Sequence, residues 1–374
     1  MSIKKGYILR ITIVTTLVLS MLSSMGGAQC EHPDVISQWA YYRPIYFETG
    51  AYFDPGAPVL LTLEGDDFPI EAQNDGDDIR FVMDSEFGCH YIINYWIEMW
   101  NSTGRKAKIW VNVTHINGEP LTHINDELVS VNMYWGNPLA SSLSNGKRTF
   151  DFFDDFSGIH SLSDYKIVDN GTGGQTPSNW TMDYGNKLIK QTRKIYFGRF
   201  GTALLTNVNL SNFEVLVKTK EGEGVYKSII GLLFSYKNSS QFYHYSYSHD
   251  YLGKYLNNYS ECPRGSGNPG GGSNRWIGKG TTGICSSKLA NDSQAPLNNY
   301  TVEIKIRRFN NTITVFQNNT EILSTVAIDD GWGDIGLMTE ANEKGKFYPP
   351  FIIRKYIGNQ SVVLGNVSCN INCW

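Results

Sequence analysis

Apolar and polar residues alternate in short runs along most of this chain, and no stretch shows a convincing helical period. In the first half, residues 39–47, 59–63, 79–82, 91–100, 108–113 and 129–135 read as strands, with turns at 74–78 and 101–104 between them. In the second half the strand-like runs are 213–219, 228–236, 242–248, 300–307, 312–317 and 322–328. The clearest stretch is 300–328. There Val302, Ile304 and Ile306 alternate with charged residues, Asn310-Asn311 turns the chain, Ile313 and Val315 return, and Asn318-Asn319 turns it again. This predicts a meander with one buried and one wet face. Residues 333–337 and 351–354 read as inner strands. Regular short strands divided by turns predict an all-β protein of two β-sandwich domains in tandem. Residues 145–158 separate them. The boundaries read as a first domain over 39–149, a second over 150–360 and a C-terminal tail over 361–374.

The N-terminus adds a location. Lys4 and Lys5 precede an apolar run over 11–22, too short for a comfortable span, and Gly26-Gly27-Ala28 offers a cleavage site. Residues 1–28 read as a signal peptide, followed by a short extension over 29–38. A pilin-type leader cut after Gly6 would keep the apolar segment, but Arg10 within it opposes that. No second apolar run of spanning length follows, so the expectation is a secreted, extracellular or cell-surface protein with no transmembrane span in the mature chain. The formal net charge is −4, and the leader holds three basic residues and no acid, which excludes nucleic acid as the expected partner.

Thirteen Asn-x-Ser/Thr sequons fit a glycosylated exported surface: Asn101, Asn112, Asn170, Asn179, Asn209, Asn238, Asn258, Asn291, Asn299, Asn310, Asn318, Asn359 and Asn366. Six cysteines after a leader read as disulfides. Cys262 and Cys285 flank one loop. Cys369 and Cys373 would close a very small ring or pair elsewhere. Cys30 and Cys89 remain. No CxxC pair occurs and the histidines are scattered, which speaks against a zinc site.

Four patterns carry candidate chemistry. Glu214, Glu221, Glu223, Glu303 and Glu340 stand singly, with no run of acids alternating along one strand to flank a sugar bond, so no catalytic residue is assigned. Tyr243, Tyr245 and Tyr247 share one face of a strand, with Tyr236 on the strand before, and form a candidate platform for stacking sugars. The alternative is that they fill the core. The Gly-rich stretch 263–283 reads as a flexible loop whose Arg264, Arg275, Lys279 and Trp276 could touch an acidic glycan or a neighbouring subunit. It misses the phosphate-loop pattern twice. Asp75, Asp77 and Asp78, and again Asp154 and Asp155, are weak calcium candidates, with turn chemistry as the alternative. No other cofactor is implied, and no nucleophile motif occurs.

Two resemblances complete the reading. Trp39-x-Tyr-Tyr-Arg-Pro-Ile, Asp75-Gly-Asp-Asp-Ile-Arg-Phe, Tyr95-Trp-x-Glu-x-Trp-Asn and Tyr134-Trp-Gly-Asn-Pro resemble, in order, a domain of unknown function at the N-terminus of exported archaeal and bacterial surface proteins. Phe152-Phe-Asp-Asp-Phe-Ser, the 300–328 meander, Gly333-Asp-Ile-Gly-Leu and Phe351-Ile-Ile-Arg-Lys-Tyr resemble a concanavalin-like jelly roll of the laminin-G type. The resemblance implies an extracellular, archaeal-type binding or structural role and no particular reaction, since jelly rolls host both lectins and glycosidases. The expectation is a non-catalytic surface protein that binds glycans or other surface components through its second domain. The runner-up is a self-assembling subunit of a filament or surface layer, whose ends add a strand to a neighbour. A glycosidase comes third.

Overall fold

The computed structural model describes residues 36–48, 56–84, 90–113, 115–116, 119–120, 129–171, 177–193, 198–220, 229–247, 275–280, 287–292, 301–329, 331–340, 345–358 and 361–370. The expected signal peptide lies outside them. Strands of the first unit are β1 (Tyr41–Glu48), β2 (Val59–Glu64), β3 (Arg80–Asp84), β4 (His90–Ile92), β5 (Asn94–Asn101), β6 (Lys106–Asn112), β7 (His115–Ile116), β8 (Glu119–Pro120) and β9 (Val129–Trp135). The second unit begins with β10 (Phe152–Asp154), β11 (Lys166–Gly171), β12 (Trp180–Asp183), β13 (Leu188–Gln191), β14 (Gly198–Asn209), β15 (Phe213–Lys220), β16 (Ile229–Asn238) and β17 (Gln241–Tyr247). It continues with β18 (Arg275–Lys279), β19 (Ser287–Asp292), β20 (Val302–Phe309), β21 (Thr312–Gln317), β22 (Thr320–Val326), β23 (Asp334–Glu340) and β24 (Lys346–Lys355). Two strands follow, β25 (Ser361–Leu364) and β26 (Ser368–Cys369). The protein is all-β, as expected.

In the first unit one sheet runs β25-β1-β9-β3-β4, with β26 also on β1, and the other runs β2-β6-β5. Alternation explains their packing. Val59, Leu61 and Leu63 of β2 and Ala107, Ile109 and Val111 of β6 turn inward onto Phe47, Phe81, Met133 and Trp135. The intervening positions of β5 and β6 therefore face away from this core, and Trp96 and Trp110 are among them.

The Asp-rich turn is a structural knot. Asp78 is fully buried and accepts hydrogen bonds from the backbone N–H of Gln73 (2.9 Å), Gly136 (2.7 Å) and Asn137 (3.2 Å). Its carbonyl accepts the Trp39 indole N–H at 2.6 Å, and the Arg80 guanidinium lies 5.1 Å from the Trp39 ring. Gly76 sits at φ +77°, where a Cβ would come within 2.7 Å of the Trp100 ring. Asp78 is spent on backbone amides, and Asp75 accepts from the Asp77 N–H in a local turn, the turn chemistry that stood as the alternative to calcium.

The second unit packs a sheet of order β12-β13-β24-β15-β20-β21-β22, with β10 on β24, against one of order β11-β14-β23-β16-β17-β18-β19. Its core includes Val302, Ile304, Ile306, Ile313 and Val315 from the meander, facing Leu204, Ile230, Leu232 and Leu337. The 300–328 reading is reproduced by β20, β21 and β22, whose turns hold Asn310, Asn311, Asn318 and Asn319 at positive φ. Within the Gly-rich stretch, Arg275–Lys279 departs from the expected loop and is a strand between β17 and β19, while residues 263–274 and 281–283 lie outside the described residues. A Cβ on Gly278 would lie 2.1 Å from the His244 ring, and one on Gly280 2.4 Å from the Phe242 ring. These glycines fit aromatic rings rather than loosen a loop.

The expected C-terminal tail also departs. Residues 361–364 and 368–369 return to the first unit and pair with β1, placing Ile45 opposite Leu364 and Tyr41 opposite Cys369. Val362 and Leu364 pack against the first core. A chain ending at Gly358 is expected to lose about 2 kcal/mol or more from the first unit, since these aliphatic side chains and an edge ladder go. A lowered denaturation midpoint for the first unit, with that of the second unchanged, is the check.

Candidate functional site

Trp96 and Trp110 are direct partners across the β5–β6 ladder. Both are half-buried and face the outer surface of the second unit. Together with Glu98 they form one wall of a cavity of about 220 Å³, whose other wall is Glu214, Leu216, Lys218, Glu303, Pro350, Ile352 and Arg354. The segment joining the units packs behind the indoles. Asn145 caps the short helix α1 (Gly146–Thr149) by accepting from Arg148 N–H, and its own N–H donates to the Tyr95 carbonyl at 2.8 Å. Phe150 and Phe153, just beyond, meet the Trp96 ring edge-on at centroid distances of 5.6 and 5.0 Å.

The polar groups of the cleft are fixed. Trp110 Nε1 donates to Glu98 at 2.7 Å. Glu214 lies directly between Arg354 on β24 and Arg307 on β20. Its Oε1 accepts from Nε and Nη2 of Arg354 (3.1 and 2.8 Å), and its Oε2 accepts from Nε and Nη2 of Arg307 (3.1 and 2.8 Å). Burial alone would raise the Glu214 carboxyl, but the Arg354 and Arg307 guanidiniums outweigh it and hold the group below its ordinary range. Arg354 also donates to the Pro58 carbonyl of the first unit at 3.1 Å and stacks 4.6 Å from the Trp110 ring. It therefore fixes one indole and ties the two units together. Lys218 stands opposite Glu303 across the β15–β20 ladder.

The tyrosine platform is corrected. Tyr243, Tyr245 and Tyr247 face the sandwich core and are essentially inaccessible. Each hydroxyl has a partner inside: Ile328 N–H donates to Tyr243, Gln317 Nε2 to Tyr245 at 3.0 Å, and Tyr247 bonds Thr219 Oγ1 at 2.7 Å. Burial pushes the Tyr243 hydroxyl up to about 12. Tyr236 and Trp276 lie in a separate buried cluster with Phe242 and Met338. The basic loop residues that are described have partners too. Arg275 pairs with Asp292 and Gln317, and Lys279 lies 3.8 Å from Asp329. Arg264 falls outside the described residues.

Asp154 and Asp155 are likewise engaged. Asp154 is buried and accepts from the Tyr165 hydroxyl at 2.6 Å and Phe156 N–H at 2.8 Å, while Asp155 accepts from Ser157 N–H and Oγ. Among the described residues no group of three or more His, Cys, Asp or Glu is placed to hold a metal. Of the sequons, Asn101, Asn179, Asn209, Asn238, Asn291, Asn310, Asn318 and Asn366 are exposed. Asn112 is not a glycan site in this fold: it is buried and its Nδ2 donates to the Thr149 carbonyl at 2.7 Å. The side chains of Asn170, Asn258, Asn299 and Asn359 lie outside the described set. Cys369 is disulfide-bonded, and Cys30, Cys89, Cys262, Cys285 and Cys373 lie outside the described residues.

A family model described as a domain of unknown function (DUF2341) matches residues 75–183, from the Asp-rich turn into the second unit. No curated protein matches the chain. Among solved structures, a carbohydrate-binding module from Bacillus subtilis is similar at 11% identity and a TM-score of 0.37, covering 51% of this chain and 96% of that one. A protein of unknown function with a galectin-like fold, also from Bacillus subtilis, gives 11% and 0.38, with 55% and 96% covered. A xylan β-1,4-xylosidase from Bacillus halodurans gives 11% and 0.37, with 73% of this chain and 52% of that one covered.

Proposed function

We propose that this is a non-catalytic, exported carbohydrate-binding protein, and that sugar docks in the cleft between its two units rather than on the tyrosine stripe. The observation that carries this is the pair Trp96 and Trp110, whose indoles form one wall of a cavity with carboxylate, ammonium and guanidinium groups around it. Indole faces stack on the apolar faces of pyranose rings, and fixed polar groups at the rim bond hydroxyls. Two of the three carboxylates lining the cleft do not favour hydrolysis. Glu214 is clamped as an anion by two arginines, so it has no proton to give a leaving group, and Glu98 accepts the Trp110 indole N–H. The assembly reading weakens at one end, because residues 361–369 add their strand to their own β1.

Trp110→Ala is expected to lower glycan affinity roughly two- to tenfold, since one stacked ring contributes roughly 0.5–1.5 kcal/mol. Binding of the mature protein to a glycan array is the measurement, with the melting temperature as control for folding. Undiminished binding by a folded Trp110→Ala variant would sink the assignment.

A further inference from the structure

Beyond the cleft the same sheet face continues as a polar groove. Strand register lays one row of side chains across it, with Tyr348 of β24 opposite Lys218 of β15, and Lys218 opposite Glu303 of β20. Asn318, at the turn between β21 and β22, closes the row. Its N–H donates to the Glu303 carbonyl and its Oδ1 accepts from the Glu303 N–H, both at 3.0 Å. Lys218 and Glu303 line the cleft, and they also line a second, open pocket of about 490 Å³ whose other walls are Thr301, Asn318 and Asn319. The two spaces therefore share a threshold.

The lining of this pocket is polar throughout and carries one cation and one carboxylate, so its charges cancel. Among the described residues neither the Lys218 ammonium nor the Glu303 carboxylate has a hydrogen-bond or ion-pair partner. The amide oxygens of Asn318 and Asn319 are taken, the second by Lys305 Nζ at 3.1 Å, which leaves both Nδ2 groups as donors. Ammonium and amide donors thus stand beside a carboxylate acceptor. Neighbouring hydroxyls of a sugar each donate and accept, so a mixed set of this kind can satisfy them in pairs. Cancelled charges give no preference for a charged ligand.

We propose that this pocket is a second sugar subsite, and that the protein binds an uncharged oligosaccharide with one ring in the cleft and the next against Lys218, Glu303 and the turn amides. The proposal rests on reading the cleft as a sugar site. The division of labour is chemical: the cleft holds its ring by indole faces, and the pocket holds the next ring by its hydroxyls.

Asn318 also heads a sequon, and a glycan on its Nδ2 would fill the same pocket, so the test uses the mature protein made in a host without N-glycosylation. The probes are the one-unit and four-unit members of the cello-, malto- and manno-series, with tetragalacturonate as a charged control, and calorimetry reads the affinities. In at least one neutral series the tetrasaccharide is expected to bind about tenfold tighter than the monosaccharide, the size of two or three added hydrogen bonds. Thr301→Ala combined with Asn319→Gly is expected to remove most of that advantage and leave the monosaccharide unchanged. Asn319 sits at φ +65°, which glycine adopts freely, so the turn is kept. An unchanged melting temperature confirms the fold, and Asn319→Gly alone, with a smaller effect of the same kind, is the second variant. Equal affinity for one and four units, or a tetrasaccharide advantage indifferent to the double change, overturns the subsite while leaving the cleft intact. Tetragalacturonate binding tighter than every neutral tetrasaccharide overturns the choice of an uncharged ligand. No binding of any probe overturns both the subsite and the cleft.

Discussion

Asp78→Ala is expected to destabilise the first unit severely. The wild-type carboxylate is fully buried and takes up the N–H groups of Gln73, Gly136 and Asn137, while its carbonyl holds Trp39. Alanine supplies no acceptor and leaves these amides without a partner. At roughly 1–3 kcal/mol for each buried group left unmade, the loss is about 4 kcal/mol or more, a large share of the 5–15 kcal/mol that holds a typical domain. Hydrogen exchange would show the first unit's β1, β3 and β9 losing protection while β20 and β21 keep theirs. Asp78→Asn keeps one acceptor oxygen and is expected to fall between the two. An alanine variant that melts within a degree or two of the parent would show that the knot contributes little.

The second large effect belongs to Glu214. Its removal leaves Arg307 and Arg354 facing each other across a mostly buried site, and breaking such a group costs roughly 3–5 kcal/mol. Arg354 is also the residue bonded to Pro58 and stacked on Trp110, so Glu214→Ala is expected to abolish glycan binding as well as lower stability. The pH dependence follows from the direction of the shift. The folded carboxyl lies below its ordinary value, so its contribution is fully present above the unfolded pKa of about 4.3 and is lost as pH falls through the depressed folded value. A Glu214→Gln variant should lack that acid-linked decline. Melting temperature against pH, below pH 5, compares the two, and parallel curves would remove Glu214 from the account.

The meander was legible because its alternation is strict, and β20–β22 follow it almost residue for residue. Strands β11, β14 and β19 were not read, since charged and amide residues interrupt their apolar run. The tyrosine stripe shows a deeper limit. A period of two says that Tyr243, Tyr245 and Tyr247 share a face, but not which face is inside. Thr219, Gln317 and Ile328, distant in sequence, satisfy their hydroxyls and make the inward choice stable. The cleft was invisible for a related reason. Glu214, Arg307 and Arg354 become a cluster only once β15 is known to lie between β20 and β24, and Trp96 and Trp110 reach them only through docking of the units. The aromatic pair itself was readable, since both indoles fall on the polar phase of β5 and β6.

The return of β25 and β26 to β1 has a mechanical meaning. Tyr41 at the start of β1 faces Cys369 at the end of β26, so a pulling force applied at these two points acts at the same end of the ladder. Such a geometry opens one pair of hydrogen bonds at a time, as a zipper does, instead of shearing the row together. The first sheet would thus peel at low force from Tyr41 toward Glu48, shedding Val362 and Leu364 from the core as it goes. The disulfide at Cys369 sits at the point where that peeling would begin.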